Sequence, residues 1–308
     1  MDTDTASVVK PDKGWRIWWQ LTRPHTLTAS FVPVLLGTAL ALPYTKISYL
    51  MLAAMLIASI LIQAATNMFN EYYDYKRGLD NEKSVGIGGA IVRNGVKPDT
   101  VLKLGFAFFG ISILLGLYIV LNTSWWIAVI GLICMAAGYL YTGGPVPIAY
   151  TPFGEITAGF FMGIVLILLS FYIQTGFVNG TSIMISIPIS ILVGAILLAN
   201  NIRDLDGDKK SGRKTLAILI GRNNAIYLLA GMFVFSYIWI IALVLLGKAS
   251  AWLLLTLFSI PKAVQATKGF IGKSLPIQML PAMKATAQTN TIFGFLLSIG
   301  LIISYLTP

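Results

Sequence analysis

The 308-residue sequence contains little charge. Its 22 Lys and Arg and 12 Asp and Glu make up 11% of the chain, whereas a soluble domain carries about 25% charged residues. So few charges cannot cover a water-exposed surface, which excludes a pair of soluble domains. Hydrophobic residues account for 56% of the chain, which excludes an intrinsically disordered protein. The composition therefore predicts an integral membrane protein.

Cysteine and histidine each occur once, as Cys134 and His25. The single cysteine excludes a disulfide framework and a Cys-rich metal or redox centre. His25 lies at the start of the first apolar segment, either as a polar residue at the membrane interface or as a contact to a bound substrate. Any metal site in this chain must therefore depend on oxygen ligands.

The uncharged stretches predict nine membrane helices, because one crossing needs roughly 20 mostly apolar residues. The stretches 104–154 and 156–202 are too long for one crossing, and polar breaks at 122–124 and 176–181 divide them. The eighth predicted span is short and contains Pro261 and Lys262. The predicted spans are 24–45, 47–70, 101–121, 124–141, 156–175, 182–201, 223–247, 250–267 and 285–308. The expected fold is an all-α integral membrane protein, with nine transmembrane helices around a central cavity.

The distribution of basic residues predicts the orientation of these spans. With a cytoplasmic N-terminus, the inner segments hold 20 of the 22 Lys and Arg, and only Lys46 and Lys248 lie outside. The net charge of +10 then reflects topology and contact with anionic lipid, with no nucleic acid as partner. Residues 1–20 are expected to form a cytoplasmic tail and interfacial anchor, and 21–308 the nine-helix domain. We expect a bacterial cell membrane, with the active site toward the cytoplasm.

Most acidic residues fall in two clusters at the inner ends of the second and sixth predicted helices, in the motif loops 67–100 and 200–222. Residues spaced i, i+3, i+4 and i+7 share one face of a helix. The first row with this spacing is Asn67, Asn70, Glu71 and Asp74. The second, spaced i, i+3 and i+7, is Asn201, Asp204 and Asp208. Each cluster therefore predicts a row of oxygen ligands that ends an apolar helix.

Two facing rows of this kind favour a divalent cation. Placing an ionised carboxylate within a membrane helix costs free energy, and neighbouring carboxylates repel one another. A divalent cation relieves both costs. Oxygen ligands without His or Cys indicate Mg²⁺ or Ca²⁺, and Mg²⁺ commonly combines one or two carboxylates with substrate phosphates. Neighbouring bases, among them Lys76, Arg203, Lys209 and Lys214, complete a predicted diphosphate site. The alternative is that the acids only pair with these bases in solvated loops.

The two motifs resemble those of the intramembrane aromatic prenyltransferase superfamily, Asn-Asp-x-x-Asp-x-x-x-Asp and Asp-x-x-x-Asp. The first corresponds here to Asn70-Glu-Tyr-Tyr-Asp74, with Glu in place of the second residue and the last acid displaced to Asp80. Asp204 and Asp208 match the second motif. The superfamily's Tyr-x-x-x-Lys element is altered, because Tyr141 is followed by Pro145 where lysine is expected.

Within the superfamily, three segments resemble the 1,4-dihydroxy-2-naphthoate prenyltransferases of menaquinone synthesis. They are Thr22-Arg-Pro-His25, Tyr141-Thr-Gly-Gly-Pro-Val-Pro147 and Asn200-Asn-Ile-Arg-Asp204. The resemblance implies Mg²⁺-dependent transfer of a polyprenyl group from polyprenyl diphosphate to this small aromatic acid, in the lipid bilayer. Loss of CO2 would give demethylmenaquinone.

The rows and the resemblance together predict the site residues. The predicted catalytic residues, which are also the metal ligands, are Asn70, Glu71, Asp74, Asp204 and Asp208. The predicted substrate-binding residues are Arg23, Asn67, Lys76, Asp80, Tyr141, Asn201, Arg203, Lys209 and Lys214.

Three other functions are compatible with parts of this pattern. A secondary transporter would use intramembrane acids as ion-coupling groups, but it predicts acids near the middle of spans. A phosphatidyl-alcohol transferase would carry Asp-Gly-x-x-Ala-Arg, whereas Asp206-Gly207 is followed by Asp-Lys-Lys. A prenyltransferase for 4-hydroxybenzoate or a porphyrin differs from the favoured function only in its acceptor.

Overall fold

The computed structural model describes residues 12–80 and 89–307, and all regular secondary structure in these ranges is helical. The predicted tail before residue 12 and residues 81–88 of the first motif loop lie outside the described residues. The helices are α1 (Trp15–Leu21), α2 (Thr28–Ala41), α3 (Tyr49–Lys76), α4 (Pro98–Leu121), α5 (Trp126–Leu140), α6 (Gly154–Thr175), α7 (Gly180–Lys210), α8 (Leu216–Ile220), α9 (Arg222–Leu245), α10 (Ile260–Phe270) and α11 (Pro276–Leu306).

Six of these helices, namely α3, α4, α6, α7, α9 and α11, are long and apolar enough to cross a membrane. The chain is therefore a multi-pass membrane protein, as its composition indicates. Helices α2 and α5 are also apolar but have only 14 and 15 residues. At the predicted eighth span, 250–267, a 3-10 helix at Ala251–Ser259 leads into α10. The count of nine spans and the cytoplasmic N-terminus stay predictions.

The polar break predicted at 176–181 separates α6 from α7, and local chemistry explains both helix ends. Gly176 takes a left-handed conformation with φ of 80° and stops α6, a conformation that glycine adopts at little cost. Asn179 then caps α7, since its side chain accepts the backbone N–H of Ser182. The Ser182 hydroxyl accepts the N–H of Asn179 in return, which completes a capping box.

The two helices that carry the acidic rows are longer than the predicted spans. Helix α3 continues to Lys76 and α7 to Lys210, whereas the spans were predicted to end at 70 and 201. The rows are therefore helical throughout, as the spacing argument requires. Because each row extends the end of a buried apolar helix, its polar side chains are held by rigid elements.

Helices α6 and α7 approach very closely at two glycines. Gly159 and Gly163 both face Ser190 of α7, and a Cβ built on Gly163 would lie 2.3 Å from the Ser190 Cα. A Gly-x-x-x-Gly pattern allows this approach because it removes two side chains from one helix face. Gly159 and Gly163 lie in a π-helical stretch, Gly159–Val165. The pattern fixes α7, and with it the second acidic row, against α6.

Helix α7 is the most deeply buried of the six long apolar helices. Its apolar side chains form one cluster with those of α2, α9 and α11. Helices α3, α4 and α5 pack around a separate, smaller cluster that includes Phe69 and Phe109. The acidic rows therefore belong to two different packing units, and a cavity lies between them.

Candidate active site

A cavity of about 960 Å³ lies between the ends of α3 and α7 and is lined by both acidic rows. Its polar residues from the two rows are Asn67, Asn70, Asp74, Asn201, Asp204 and Asp208. Asp80 and Tyr141, which were predicted to contact substrate, also line it. The structure thus brings together two motifs that are 130 residues apart in sequence.

One arginine joins the two rows directly. Arg213 Nη2 lies 2.6 Å from Asp74 Oδ1, and its Nη1 lies 3.1 Å from Asp208 Oδ1. Burial alone would lower the pKa of Arg213, but the carboxylates of Asp74 and Asp208 raise it above its ordinary value. Arg213 is absent from the residues predicted from sequence. Its only signal there is its place in the basic loop after Asp208.

Arg203 is buried and faces its neighbour in sequence. Its Nε donates to Asp204 Oδ1 at 2.6 Å, and its Nη2 donates to Asp204 Oδ2. This fork-to-carboxylate geometry is one of the strong ion-pair arrangements. The remaining nitrogen, Nη1, is buried and has no hydrogen-bond partner within the described residues. Arg203 therefore retains a donor that an anion in the cavity can use.

Glu71 does not line the cavity, and its predicted role as a metal ligand stays a prediction. Its Oε1 accepts the backbone N–H groups of Gly89, at 2.8 Å, and Ile91, at 3.3 Å. Its Oε2 lies 3.8 Å from Arg23 Nη2. The segment at 89–91 covers the side of α3 on which Glu71 lies, and these contacts of Glu71 hold that segment against α3.

Asn67 fixes the segment that precedes α2. Its Nδ2 donates to the backbone oxygen of Thr22 at 2.8 Å and to Thr26 Oγ1 at 3.0 Å. Between these two, Arg23 has a positive φ of 51°, which a non-glycine residue adopts only where surrounding contacts hold it. Those contacts direct the Arg23 side chain into the cavity wall beside Glu71.

Asp80 supplies a further acid at the rim of the first motif. Burial, together with the negative charges of Asp74 and Glu71, raises the pKa of Asp80 to about 6. Asp80 therefore ionises less readily than a free aspartate, and a nearby divalent cation would lower its pKa again.

His25 lines the cavity between two guanidinium groups. Burial, then the charges of Arg23 and Arg203, lowers the pKa of His25 to about 4. The imidazole is therefore neutral at physiological pH. Of the two roles open from the sequence, the position in the cavity favours a contact to substrate.

This neutral histidine predicts a specific pH dependence of stability. Between its folded pKa of about 4 and its unfolded value of about 6.5, the unfolded chain binds the extra proton. The free energy of unfolding should therefore fall as pH falls from about 7 to 4, by at most about 3 kcal/mol from this group. We expect the Tm of His25→Gln, relative to that of wild type, to rise steadily as pH falls from about 7 to 4 in detergent with EDTA. The raised pKa of Asp80 changes the free energy of unfolding in the opposite direction, but Asp80 is present in both proteins. The difference in Tm between wild type and variant therefore isolates His25, and parallel profiles would contradict the assignment.

Three predicted substrate lysines lie outside the cavity lining. The side chains of Lys76, Lys209 and Lys214 are exposed, and Lys76 lies over the ring of Tyr72. The cavity instead takes its positive charge from Arg23, Arg203, Lys210 and Arg213. Sequence spacing identified the basic loops but not which of their side chains return to the cavity.

The segment that carries the altered Tyr-x-x-x-Lys element is fastened to the end of α3. Arg77 donates to the backbone oxygens of Thr142 and, at 3.1 Å, Gly144. Its guanidinium also lies 5.4 Å from the centre of the Tyr150 ring. Tyr141, at the start of this segment, lines the cavity. Arg77 therefore places Tyr141 in the wall without contacting the cavity itself.

Asn201 is held by a buried carboxylate on the neighbouring helix. Its Nδ2 donates to Glu155 Oε1 at 2.8 Å. The isolated acid of the sequence, Glu155, thus orients one member of the second row. This contact links α6 to α7 at the level of the site.

Away from the charged residues the cavity wall is apolar. It is formed by side chains of α4, α5 and α6, including Ile113, Leu117, Leu132, Phe161 and Met162. Gly116 and Gly131 also line this part, and no atom lies within 4 Å of a Cβ built on either. The cavity therefore has a polar end and an apolar end, as an amphipathic substrate requires.

Within residues 12–80 and 89–307, no three His, Cys, Asp or Glu side chains lie close enough to hold a metal ion by themselves. The oxygen donors that line the cavity are Asn70, Asp74, Asp80, Asp204 and Asp208. Mg²⁺ needs only one or two carboxylates when substrate phosphates and water complete its shell. This donor set fits a magnesium diphosphate better than a resident metal.

Comparison with known proteins agrees with this geometry. The chain is 64% identical over 290 residues to 1,4-dihydroxy-2-naphthoate octaprenyltransferase of Bacillus subtilis (strain 168), covering 94% of this chain and 93% of that protein. Two solved structures, at 16% identity, establish the fold alone. The apo structure of a UbiA homolog from Aeropyrum pernix K1 has a TM-score of 0.67 and covers 91% of this chain and 98% of that one. The UbiA homolog from Archaeoglobus fulgidus bound to GPP and Mg²⁺ has a TM-score of 0.64, over 92% and 99%.

The family model described as "UbiA prenyltransferase family" matches residues 30–271, which contain both acidic rows and the apolar wall of the cavity. This chain belongs to the UbiA prenyltransferase family.

Proposed function

We propose that this protein transfers a polyprenyl group from polyprenyl diphosphate to 1,4-dihydroxy-2-naphthoate, with loss of CO2, to give demethylmenaquinol, the hydroquinone form of demethylmenaquinone. The observation that carries the proposal is the meeting of the two acidic rows in one cavity, where Arg213 contacts both Asp74 and Asp208. The choice of acceptor is supported by the 64% identity to the Bacillus subtilis octaprenyltransferase.

The polar end of the cavity suits the diphosphate. Asn70, Asp74, Asp80, Asp204 and Asp208 would hold Mg²⁺, which when bound stabilises the charge of the departing diphosphate. Arg23, Arg203 and Arg213 each have a buried side-chain nitrogen without a partner in the described part of the chain. Guanidinium groups bind phosphate oxygens through paired N–H donors, so these arginines can orient the leaving group.

The apolar end suits the prenyl chain and the acceptor ring. The allylic C–O bond breaks with both electrons going to the diphosphate oxygen, and the electron-rich ring attacks the allylic carbon. The attacking ring carbon carries the carboxylate, so the bond to CO2 breaks and its electrons restore the aromatic ring. Side chains of α4, α5 and α6 exclude water, which would otherwise capture the allylic cation.

The remaining topology is proposed on the distribution of charge. We infer nine spans, a cytoplasmic N-terminus and a site that opens toward the cytoplasm of a bacterial cell, since the basic loops beside the site obey the positive-inside rule. Residues 1–20 would serve as tail and anchor. Trp15, Trp18 and Trp19 of α1 are exposed and suit the headgroup region.

The test is a transfer assay on the purified full-length chain. The protein is given Mg²⁺, a labelled polyprenyl diphosphate and, in separate reactions, 1,4-dihydroxy-2-naphthoate, 4-hydroxybenzoate or a porphyrin precursor. We expect a labelled product and CO2 only with the naphthoate, and no product in EDTA. Product with one of the other acceptors would show that the proposed acceptor is wrong. Absence of product with all of them would overturn the transferase assignment.

A further inference from the structure

We propose that Arg213 is an exchangeable counter-ion: it joins the two acidic rows while no cation is bound, and it moves to the diphosphate when the metal and substrate arrive. The inference rests on the proposed function. It assigns a role to a residue that the sequence motifs do not contain.

The starting position of Arg213 is well defined by its contacts. Its backbone N–H donates to the backbone oxygen of Asp208 at 3.0 Å, so the residue is tied to the last turns of α7. Its guanidinium lies 5.0 Å from the centre of the Tyr150 ring. The backbone N–H of the next residue, Lys214, donates to the backbone oxygen of Tyr150 at 3.0 Å. The main chain is therefore anchored on both sides, and only the side chain is free to change partners.

The charge balance at this point explains why a counter-ion is needed. Asp74 and Asp208 both lie at the polar end of one cavity, and each contacts the same guanidinium. Without it, two mostly buried carboxylates would lose their direct ion pair and repel each other, which is unfavourable. A divalent cation supplies the same compensation, so bound metal makes the contacts of Arg213 redundant.

The released guanidinium has an obvious new partner. Its Nε is already buried without a hydrogen-bond partner in the described residues, and bound diphosphate would bring several negative oxygens into the same cavity. The planar guanidinium of arginine can donate two N–H bonds to a pair of phosphate oxygens. Arg213 therefore opposes the binding of metal alone and favours the binding of metal together with diphosphate.

Arg213 differs in this respect from Arg23 and Arg203, which also line the cavity. Arg203 pairs with Asp204 within one row, and Arg23 contacts Glu71, which lies outside the cavity lining. The chain also provides a matched control, an ion pair whose acid lies on α7 as Asp208 does. Arg222 pairs with Asp206 at 2.8 Å, but Asp206 is exposed and does not line the cavity.

The experiment compares wild type, Arg213→Met and Arg222→Met as full-length protein in detergent. Mg²⁺ alone is titrated by calorimetry, and Tm is measured in EDTA and in Mg²⁺. We expect Arg213→Met to bind Mg²⁺ alone about tenfold more tightly and to lose about 5 °C of Tm in EDTA, with the loss recovered in Mg²⁺. A short soluble prenyl diphosphate, titrated in saturating Mg²⁺, should bind about tenfold more weakly. Arg222→Met should change none of these quantities.

The opposite signs of the two affinity changes distinguish exchange from a structural role, which would weaken both. If Arg213→Met does not fold, Arg213→Lys is used, because lysine retains the charge but cannot bridge both carboxylates; it should also bind Mg²⁺ alone more tightly. Unchanged or weaker Mg²⁺ binding by the folded variant overturns the exchange. A wild-type protein that binds neither Mg²⁺ nor prenyl diphosphate would instead overturn the proposed function.

Discussion

Asp74→Asn and Asp208→Asn should each reduce turnover by about a hundred- to a thousandfold, because each removes a carboxylate that would hold the Mg²⁺ that stabilises the departing diphosphate. Each substitution removes a carboxylate that lines the cavity and contacts Arg213. Asparagine has nearly the same size, so the fold should be retained. Turnover is measured as labelled product from polyprenyl diphosphate and 1,4-dihydroxy-2-naphthoate at saturating Mg²⁺.

The control for this prediction lies two residues away. Asp206 is on the same helix as Asp208, but it is exposed and pairs with Arg222. Asp206→Asn should keep nearly full activity. If Asp74→Asn or Asp208→Asn retained wild-type turnover in folded protein, the diphosphate site would have to be placed elsewhere.

Gly163→Val should have the largest effect on stability, with a loss above about 3 kcal/mol, at the upper end for overpacked sites. A Cβ at Gly163 would lie 2.3 Å from Ser190 Cα and 2.8 Å from Ser190 N. These are backbone atoms, so the clash can be relieved only if α6 and α7 separate. We expect a sharply lowered Tm and a low yield of folded protein in detergent.

Two further variants show whether the helix contact is the cause. Gly110 of α4 has no atom within 4 Å of a built Cβ, so Gly110→Ala should leave Tm nearly unchanged. Ser190→Gly should not rescue Gly163→Val, since the closest contacts involve the Ser190 backbone. Rescue by Ser190→Gly, or a Tm equal to that of wild type, would show that α6 and α7 are not packed in this way.

The helical nature of both motifs could be predicted from sequence because ligand spacing and helix period coincide. Asn70 and Asp74 on α3, and Asp204 and Asp208 on α7, line one cavity as the periodicity suggests. Glu71 lies outside the cavity lining, because a row of four residues covers about a quarter of a helix circumference. Which edge of such a row faces a cavity depends on tertiary neighbours, here the segment that contains Gly89.

The basic residues of the site that follow Asp208 could not be selected from sequence. Lys209, Lys210, Arg213 and Lys214 follow Asp208 closely, and composition alone treats them as equivalent. The end of α7 at Lys210 and the turn through Gly212, with φ of 77°, decide which of them point back to the cavity. The result depends on backbone geometry in a loop, for which hydrophobic periodicity carries no information.

The 3-10 geometry within the eighth predicted span could not be predicted from the sequence either. Its apolar residues match a membrane helix in number, but a 3-10 helix occupies Ala251–Ser259. Close packing against α11 accounts for part of this, since a Cβ at Gly300 would lie 2.6 Å from the Trp252 oxygen. Such contacts become visible only when the neighbouring helix is placed.

The unequal packing of α5 and α7 determines which wall of the cavity can yield. Helix α7 is enclosed by α2, α9 and α11, so any displacement of it would break the main apolar cluster. Helix α5 packs mainly against α3 and α4, and many of its side chains are exposed. Substrates with prenyl tails of different length should therefore shift α5 while the second acidic row stays in place. The cavity can then accept tails of different length without moving the residues that bind the diphosphate.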